Sequence, residues 1–417
     1  MTDLLPIREA QEKILAMIKT KGSEPCKVEI ACHRVLAENI NSPLALPPFN
    51  NSSMDGYAVR SEEVSGASAS SPITLPVSLD IPAGITQQGV LIKGTAARIL
   101  TGAPVPDNAD AVIPVEDTDQ YKNPQTGPMQ KTVAFYKPAK AGDNIRLAGE
   151  DVQLGQLVLE KGRRLLPHDI GLLVSLGIRE VKITQKARVA LFSSGDELLL
   201  PDQPMTPGKI YDANTHVLTN LFEEAGAEVT QLGIAQDSPD SVKNTLDQVQ
   251  QNPPDLIVGS AGVSVGAFDY VREVVEANGS LSFWRVNIRP GKPVAFGNYR
   301  NIPFIGLPGN PVSAFIGAMV FVLPIIRKLH GLPPFARHII QAKLEEPLKS
   351  SDGRESFYRG VIRKEDGVYK ARLTGHQGSG NLFSLVQANA LLIVPAGVNH
   401  IPAGETITAW SLDPDLN

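Results

Sequence analysis

Cysteine is nearly absent from this 417-residue chain, where Cys26 and Cys32 are the only two. They stand too far apart for a Cys-x-x-Cys pair and are too few for a thiolate metal cage, so they read as ordinary thiols of a reducing compartment. Histidine is scarce as well, with seven in the chain and none paired at ligand spacing. No His-rich metal motif, Ser-His-Asp arrangement or Walker A sequence is present. Positive charge is not in excess, and the formal net charge of -5 argues against a general nucleic-acid surface. The N-terminus carries charged residues from Asp3 onward and no apolar signal core, which points to a cytoplasmic protein. No apolar run reaches the roughly 20 residues a membrane span needs. The best candidate, 312–326, is interrupted by Pro324 and reads as a buried helix. There is no internal repeat, and the only biased tract is a small Ser/Ala loop at 65–71.

What is present describes a soluble globular protein of two to four domains, with 42% hydrophobic and 20% charged residues. Residues 6–20 place Ile7, Ala10, Ile14, Met17 and Ile18 at helical spacing. A Pro-rich break at 43–48 leads to a dense polar stretch in which Asp55-Gly56 marks a turn before Tyr57-Ala58-Val59. Residues 60–147 are short apolar runs between Gly and Pro, the pattern of an all-β insertion. Within it, Thr101-Gly102 reads either as a hydroxyl and bare backbone offered to a ligand or as a plain turn. The next loop sets Arg146 beside Glu150 and Asp151, and a helical pattern at 168–176 closes on Gly177.

From Ala187 onward, strands alternate with helices. Strands are expected at 189–192, 229–234, 256–258, 281–288 and 302–305, and helices open at Asp212, Ser238-Pro239 and Asp269. Such alternation implies a mainly parallel sheet whose ligands bind at the carboxyl ends of the strands. Glu197, Asp237, Ser260, Asp269 and Asn310 each follow a strand and should line that edge. After 256–258 comes a loop of small residues, Gly259, Ser260, Ala261, Gly262, Ser264 and Gly266, leading into a helix start, an arrangement suited to an anion.

Asp196, Glu197, Asp237 and Asp269 offer hard oxygen ligands of the kind Mg²⁺ takes alongside a phosphate. Arg285, Arg289 and Lys292 add positive charge, and the 306–310 turn adds backbone donors. The pattern suits a phosphorylated ligand and a second oxyanion; the other reading is a solvated hairpin face whose cations pair with surface carboxylates. Past 333 the chain is β-rich again, where Arg359 and Ser379 read either as anion contacts or as ordinary sheet and turn chemistry.

Six markers in order carry a resemblance: Asn51-Ser-Ser-Met-Asp-Gly-Tyr-Ala58, Leu100-Thr-Gly-Ala-Pro-Val-Pro106, Ser194-Gly-Asp-Glu-Leu198, Gly262-Val-Ser-Val-Gly266 with Asp269, Arg289-Pro-Gly-Lys-Pro293, and Leu307-Pro-Gly-Asn-Pro-Val-Ser313. Over nearly its whole length the chain resembles the molybdopterin molybdenumtransferase family of molybdenum-cofactor biosynthesis, which includes the gephyrin E domain.

The resemblance implies an elongated homodimer of multidomain α/β plus β subunits. A mainly parallel α/β molybdopterin-binding domain would comprise 1–25 with 180–330, and a linking domain 26–45 with 148–179. A β-rich inserted domain would occupy 46–147 and a C-terminal β domain 333–417. It implies insertion of molybdate into the dithiolene of adenylylated molybdopterin, with Mg²⁺-dependent release of AMP. A molybdopterin adenylyltransferase would supply the substrate and cofactor-handling proteins would take the product, with no nucleic acid or membrane involved.

Carried over by position, Asp237, Asp269 and Glu197 would hold Mg²⁺ and the nucleotide phosphate, and Ser260, Gly262, Ser264, Gly266 and Asn310 would contact substrate. Arg289, Lys292, Pro293, Ser313, Arg359 and Ser379 would form the molybdate pocket. Asp55, Thr101 and Asp151 would complete the site from the partner subunit. The chain departs from the family pattern with Ala261 for Gly, Arg289 where Lys is common, and Gly380-Asn-Leu-Phe after the C-terminal glycine loop. Two other functions use the same carboxylates or the same fold: a Mg²⁺-dependent nucleotide pyrophosphatase, which has no need of Arg359 and Ser379, and a non-catalytic scaffold.

Overall fold

The computed structural model describes residues 4–84, 89–122, 127–261, 267–350 and 352–413, the side chains of 261 and 267–269 excepted. The chain divides into two compact units, one made of residues 1–37, 162–166 and 180–417, the other of 38–161 and 167–179.

The first unit is built on a six-stranded sheet. Its strands are β1 (Arg188–Ser194), β2 (Glu228–Ala235), β3 (Leu256–Ala261), β4 (Gly279–Phe283), β5 (Ala295–Tyr299) and β6 (Ile302–Leu307), in spatial order β2-β1-β3-β6-β5-β4. The pairs β1–β2, β1–β3 and β3–β6 are parallel, while β5 and β4 add an antiparallel edge. Successive side chains of a strand point to opposite faces. Val189, Leu191, Leu256, Val258, Ile305 and Leu307 therefore enter one core, with α1 (Ile7–Met17), α2 (Ala213–Glu224) and the helix α5 (Pro311–Leu329). Ala190, Phe192, Ile257 and Phe304 enter the other, with α3 (Pro239–Asp247) and α4 (Ala267–Asn278). Burial on both faces is why these strands read as continuous apolar runs.

The helix starts follow their capping residues. The Asp212 carboxylate accepts from Thr215 N, and the Ser238 hydroxyl accepts from Ser241 N with Pro239 at the first turn. Helix α5 is apolar enough to cross a membrane, but 83% of it is buried inside the unit, so it is a core helix as the sequence suggests. Pro324 is accommodated by a π-helical segment, Ala318–Val322. The two carbonyls nearest the missing N–H receive side-chain donors: Val320 O from Gln11 Nε2 at 2.9 Å, and Met319 O from Arg337.

Several expected boundaries shift. Strand β3 runs on to Ala261, so Gly259 and Ser260 belong to the strand and not to the loop. Gly259 is required there, because a Cβ would stand 2.8 Å from the Phe192 ring. Helix α4 opens at Ala267, ahead of Asp269. The alternation at 281–288 is two strands: β4 ends at Phe283 after a register shift, and Ile288–Arg289 pairs elsewhere, with Glu355–Glu365. Strand β5 had no counterpart in the sequence reading. It joins β6 through Arg300 and Asn301, both at positive φ (49° and 68°), the backbone of a tight hairpin turn built without glycine.

The end of the first unit is a second six-stranded sheet, in which Glu355–Glu365, Val368–Leu373, Ile339–Leu344, Thr406–Ser411 and Ala390–Val394 pair in a closed ring. Closure removes the free edges that short β-strands would otherwise expose. The second unit carries a five-stranded sheet around Gly56–Val59 and Ala96–Ile99, with a small ladder pairing Asn51–Ser52 to Ile145–Arg146.

Candidate active site

The carboxyl ends of β1, β2, β3 and β6 carry Glu197, Asp237, Ser260 and Asn310, four of the five residues expected on that edge. Gly195 N donates to Ala235 O at 3.1 Å, which ties the turn after β1 to the end of β2. Asp237 N donates to Asp196 Oδ1 at 3.1 Å across the same junction. Gly195 has φ +148°, and a Cβ on it would lie 2.5 Å from the Glu197 carboxylate, so only glycine lets that carboxylate fold back over the turn. Asp237 Oδ1 is buried without a hydrogen-bond partner. Burial raises the Asp237 pKa above the usual carboxylate value, and the charges of Asp196 and Glu197 add to the rise. A buried carboxylate oxygen with no donor, beside two further acids, is an arrangement that a cation relieves. Among the described residues no three Asp, Glu, His or Cys stand close enough together to hold a metal ion by themselves, so a cation here would need further ligands. The Gly262, Ser264 and Gly266 positions lie outside the described residues, as does the side chain of Asp269.

Ser260 and Gly309, the residue before Asn310, are joined through a residue the sequence reading missed. Asn214, in the first turn of α2, donates through Nδ2 to Ser260 Oγ at 2.8 Å and to Gly309 O at 2.6 Å. Its signal was the Asp212-Ala-Asn-Thr helix opening, which places a polar residue at the end of the sheet that binds ligands. Asn310 caps α5 and donates to Ser379 Oγ at 3.0 Å, while Val312 N donates to Ser379 O at 3.1 Å. The 378–379 loop is thereby fixed onto the start of α5.

Beyond this junction lies a cavity of about 390 Å³, and Arg289, Lys292, Arg354 and Arg359 all line it together with Ser313 and Ser379. Pro293 and Asn310 line it too, and among the described residues no carboxylate does. Arg359 is the most constrained of the cations, with 1% of its surface exposed. Its Nε donates to Ser384 Oγ at 3.0 Å and its Nη2 to Gly378 O at 2.9 Å. Burial lowers its pKa to about 10, so it remains charged at neutral pH. A charged guanidinium is held in place by hydroxyl and carbonyl acceptors, with no acid paired to it among the described residues. Such a group is preorganised for an anion. Arg354 was also missed as a site residue; it stands just ahead of its strand, where alternation says nothing about its direction.

In the second unit, Asp55 Oδ1 accepts from Thr101 N and from Thr101 Oγ1. Asp151 pairs with Arg146, whose strand is laddered to Asn51–Ser52.

A family model described as the MoeA N-terminal region (domain I and II) matches residues 5–177. A probable molybdopterin binding domain matches 190–328, and the MoeA C-terminal region (domain IV) matches 341–412. The chain is 36% identical over 412 residues to molybdopterin molybdenumtransferase 2 of Mycobacterium tuberculosis, covering 97% of this chain and 99% of that one. It belongs to the molybdopterin molybdenumtransferase family. The Haemophilus influenzae molybdopterin molybdenumtransferase is also 36% identical, with 97% and 98% covered. A crystal structure of a molybdopterin biosynthesis MoeA protein from Pyrococcus horikoshii superposes with a TM-score of 0.82 at 32% identity, covering 99% of this chain and all of that one. All but the first two residues of the α/β sheet fall within the stretch matched as a molybdopterin-binding domain, and most of the β-ring within the C-terminal match.

Proposed function

We propose that this protein inserts molybdate into the dithiolene of adenylylated molybdopterin in the cytoplasm, with Mg²⁺-dependent release of AMP. The observation that carries the reading is the cavity lined by Arg289, Lys292, Arg354 and Arg359 and, among the described residues, by no carboxylate. A tetrahedral dianion such as molybdate fits that lining, because oxyanions need positive charge and fixed donors. The adjoining strand ends would hold the nucleotide end of the substrate, where the α/β fold presents ligands.

The lone oxygen of Asp237, with Asp196 and Glu197 beside it, fits a hard divalent cation, and Asp269 stands on the neighbouring helix. Mg²⁺ held there would neutralise charge on the phosphoanhydride. Around it, Asn214 fixes Ser260 and the 309–310 turn, and Ser313 and Ser379 offer hydroxyls to the oxyanion. Arg359 and Lys292 would hold charge against molybdate while the two dithiolene thiols form Mo–S bonds and two of its oxygens, taking the two thiol protons and two from solvent, leave as water. Hydrolysis breaks the phosphoanhydride: water adds at phosphorus and AMP leaves. In a homodimer, Asp55, Thr101 and Asp151 would serve the partner's site, and a molybdopterin adenylyltransferase would supply the substrate.

The test is single-turnover AMP release from adenylylated molybdopterin, run anaerobically with and without molybdate and Mg²⁺. Release that needs both, with molybdenum recovered on the dithiolene, is the expected result. Release with Mg²⁺ alone would make the protein a hydrolase, and tight binding without release would make it a binder.

A further inference from the structure

Two of the arginines that line the cavity share one carboxylate that does not. Arg354 donates to Asp352 Oδ2 through Nε at 3.0 Å and again through Nη2, and its backbone N–H reaches Oδ1 at 3.3 Å. Its remaining nitrogen, Nη1, donates to Ile288 O at 3.1 Å. Arg354 is therefore a strut between the 352–354 turn and the strand that carries Arg289. Arg289 Nη1 lies 3.6 Å from the same Asp352 Oδ2. Burial alone would raise the Asp352 pKa, but hydrogen bonds from Arg354 and the charges of Arg354 and Arg289 outweigh it and bring it below the usual carboxylate value.

We propose that Asp352 is the positioning residue of the cavity, holding Arg354 and Arg289 so that both guanidinium groups face a bound tetrahedral oxyanion. This rests on the oxyanion reading of the cavity given above. Two physical effects of Asp352 oppose each other. As a countercharge it weakens anion binding, whereas as an anchor it removes rotamer freedom that two long side chains would otherwise lose on binding. Its pairing with Arg289 is long and about a third exposed on each side, so solvent screens much of the countercharge effect. The link to Arg354 is multidentate and better shielded, with 22% of the Arg354 side chain exposed. At Arg354 the shielding strengthens countercharge and anchor alike, and the proposal is that the anchor prevails there.

The two effects have opposite signs in one experiment. Molybdate is titrated calorimetrically into the full-length parent, Asp352→Asn, Asp352→Glu, Arg354→Lys and the Asp352→Asn/Arg354→Lys double variant, with thermal melting of each. Asp352→Asn should bind about tenfold more weakly, the loss expected from freeing one or two long side chains, and Asp352→Glu should recover most of it. The double variant should lose little beyond either single one, because the two residues act as a unit. In turnover, KM for molybdate should rise by more than kcat falls. Equal or tighter molybdate binding by Asp352→Asn would make Asp352 a countercharge and overturn the proposal. Should that variant fail to melt cooperatively, unchanged binding by Arg354→Lys overturns it instead. A parent that takes up no molybdate at all removes the oxyanion reading, and this inference with it.

Discussion

The Asp55 carboxylate accepts two hydrogen bonds from Thr101 through one oxygen, from the backbone N–H and from Oγ1, both at 2.7 Å. Two markers far apart in sequence are thus one structural unit. Both residues are exposed, so the bonds contribute little to folding: Asp55→Ala and Thr101→Ala should each cost about 0.5–1.5 kcal/mol in urea unfolding. Function should separate them. Thr101→Ala keeps the backbone bond and the carboxylate, and turnover should fall about tenfold; Asp55→Ala removes the carboxylate and should cost about a hundredfold. Equal losses in turnover would mean that Asp55 acts only by shaping the loop.

Arg359 should respond to substitution in a way an exposed cation would not. Arg359→Lys keeps the charge but cannot reach Ser384 Oγ and Gly378 O together, the two acceptors that aim the guanidinium. Molybdate binding should weaken roughly 10- to 100-fold, in line with about 1.5–3 kcal/mol for a hydrogen bond to a charged group. Raising the molybdate concentration should recover turnover. Failure to recover at saturating molybdate would show that Arg359 supports the β-ring and not the anion.

What the sequence disclosed, and what it did not, divides along the range of the interactions. The positions of β1 and β3 were legible because the runs before Ser193 and Gly259 are apolar on both faces, although both strands run further than those runs, and β2 is a largely exposed edge strand. Helix starts were legible because Asp212 and Ser238 cap locally. The hairpin of β5 and β6 was not, since its turn is Arg300-Asn301 and carries no glycine. The 281–288 alternation misled because its apolar residues enter two different places: Leu281 packs in the α/β sheet, while the Ile288–Arg289 strand pairs with the β-ring. Asn214 escaped notice because its partners lie 46 and 95 residues away, and Asp352 because Arg289, the second arginine it meets, lies 63 residues away. Periodicity reports the face on which a side chain stands, never the residue it meets across a cavity.

Gln11 lends a test of how α5 tolerates its proline. Pro324 has no N–H to offer the turn before it, and Gln11 supplies a donor to Val320 O at 2.9 Å. Gln11→Ala should cost about 1–2 kcal/mol in urea unfolding, the size of a buried carbonyl losing a partner. In a Pro324→Ala background the restored N–H should shrink the Gln11→Ala cost to a few tenths. An undiminished cost in that background would mean that Gln11 matters for docking α1 and not for the carbonyl.

His330 gives the pH dependence. It is buried with 6% exposed, and its Nε2 accepts the Ala187 N–H at 2.9 Å, so the neutral ring carries its proton on Nδ1. Burial lowers its pKa from 6.5 to about 4, helped by the charges of Arg34, Arg164 and Lys21 and opposed by Asp255. Because the folded value lies below the unfolded one, the unfolded chain binds a proton that the folded chain refuses as pH falls. The stability this provides is complete above about pH 6.5, declines between there and about pH 4, and amounts to about 3 kcal/mol over the whole window. Other groups titrate in the same range, so the quantity to measure is a difference. His330→Gln keeps an acceptor for Ala187 N and has nothing to protonate. Urea unfolding of both proteins from pH 7.5 to 4.5 should show the parent losing stability faster, with the gap closing by roughly 1.4 kcal/mol per pH unit at its steepest. Parallel curves would mean that the folded imidazole takes its second proton as readily as the unfolded one, so that losing the Ala187 bond carries no net cost.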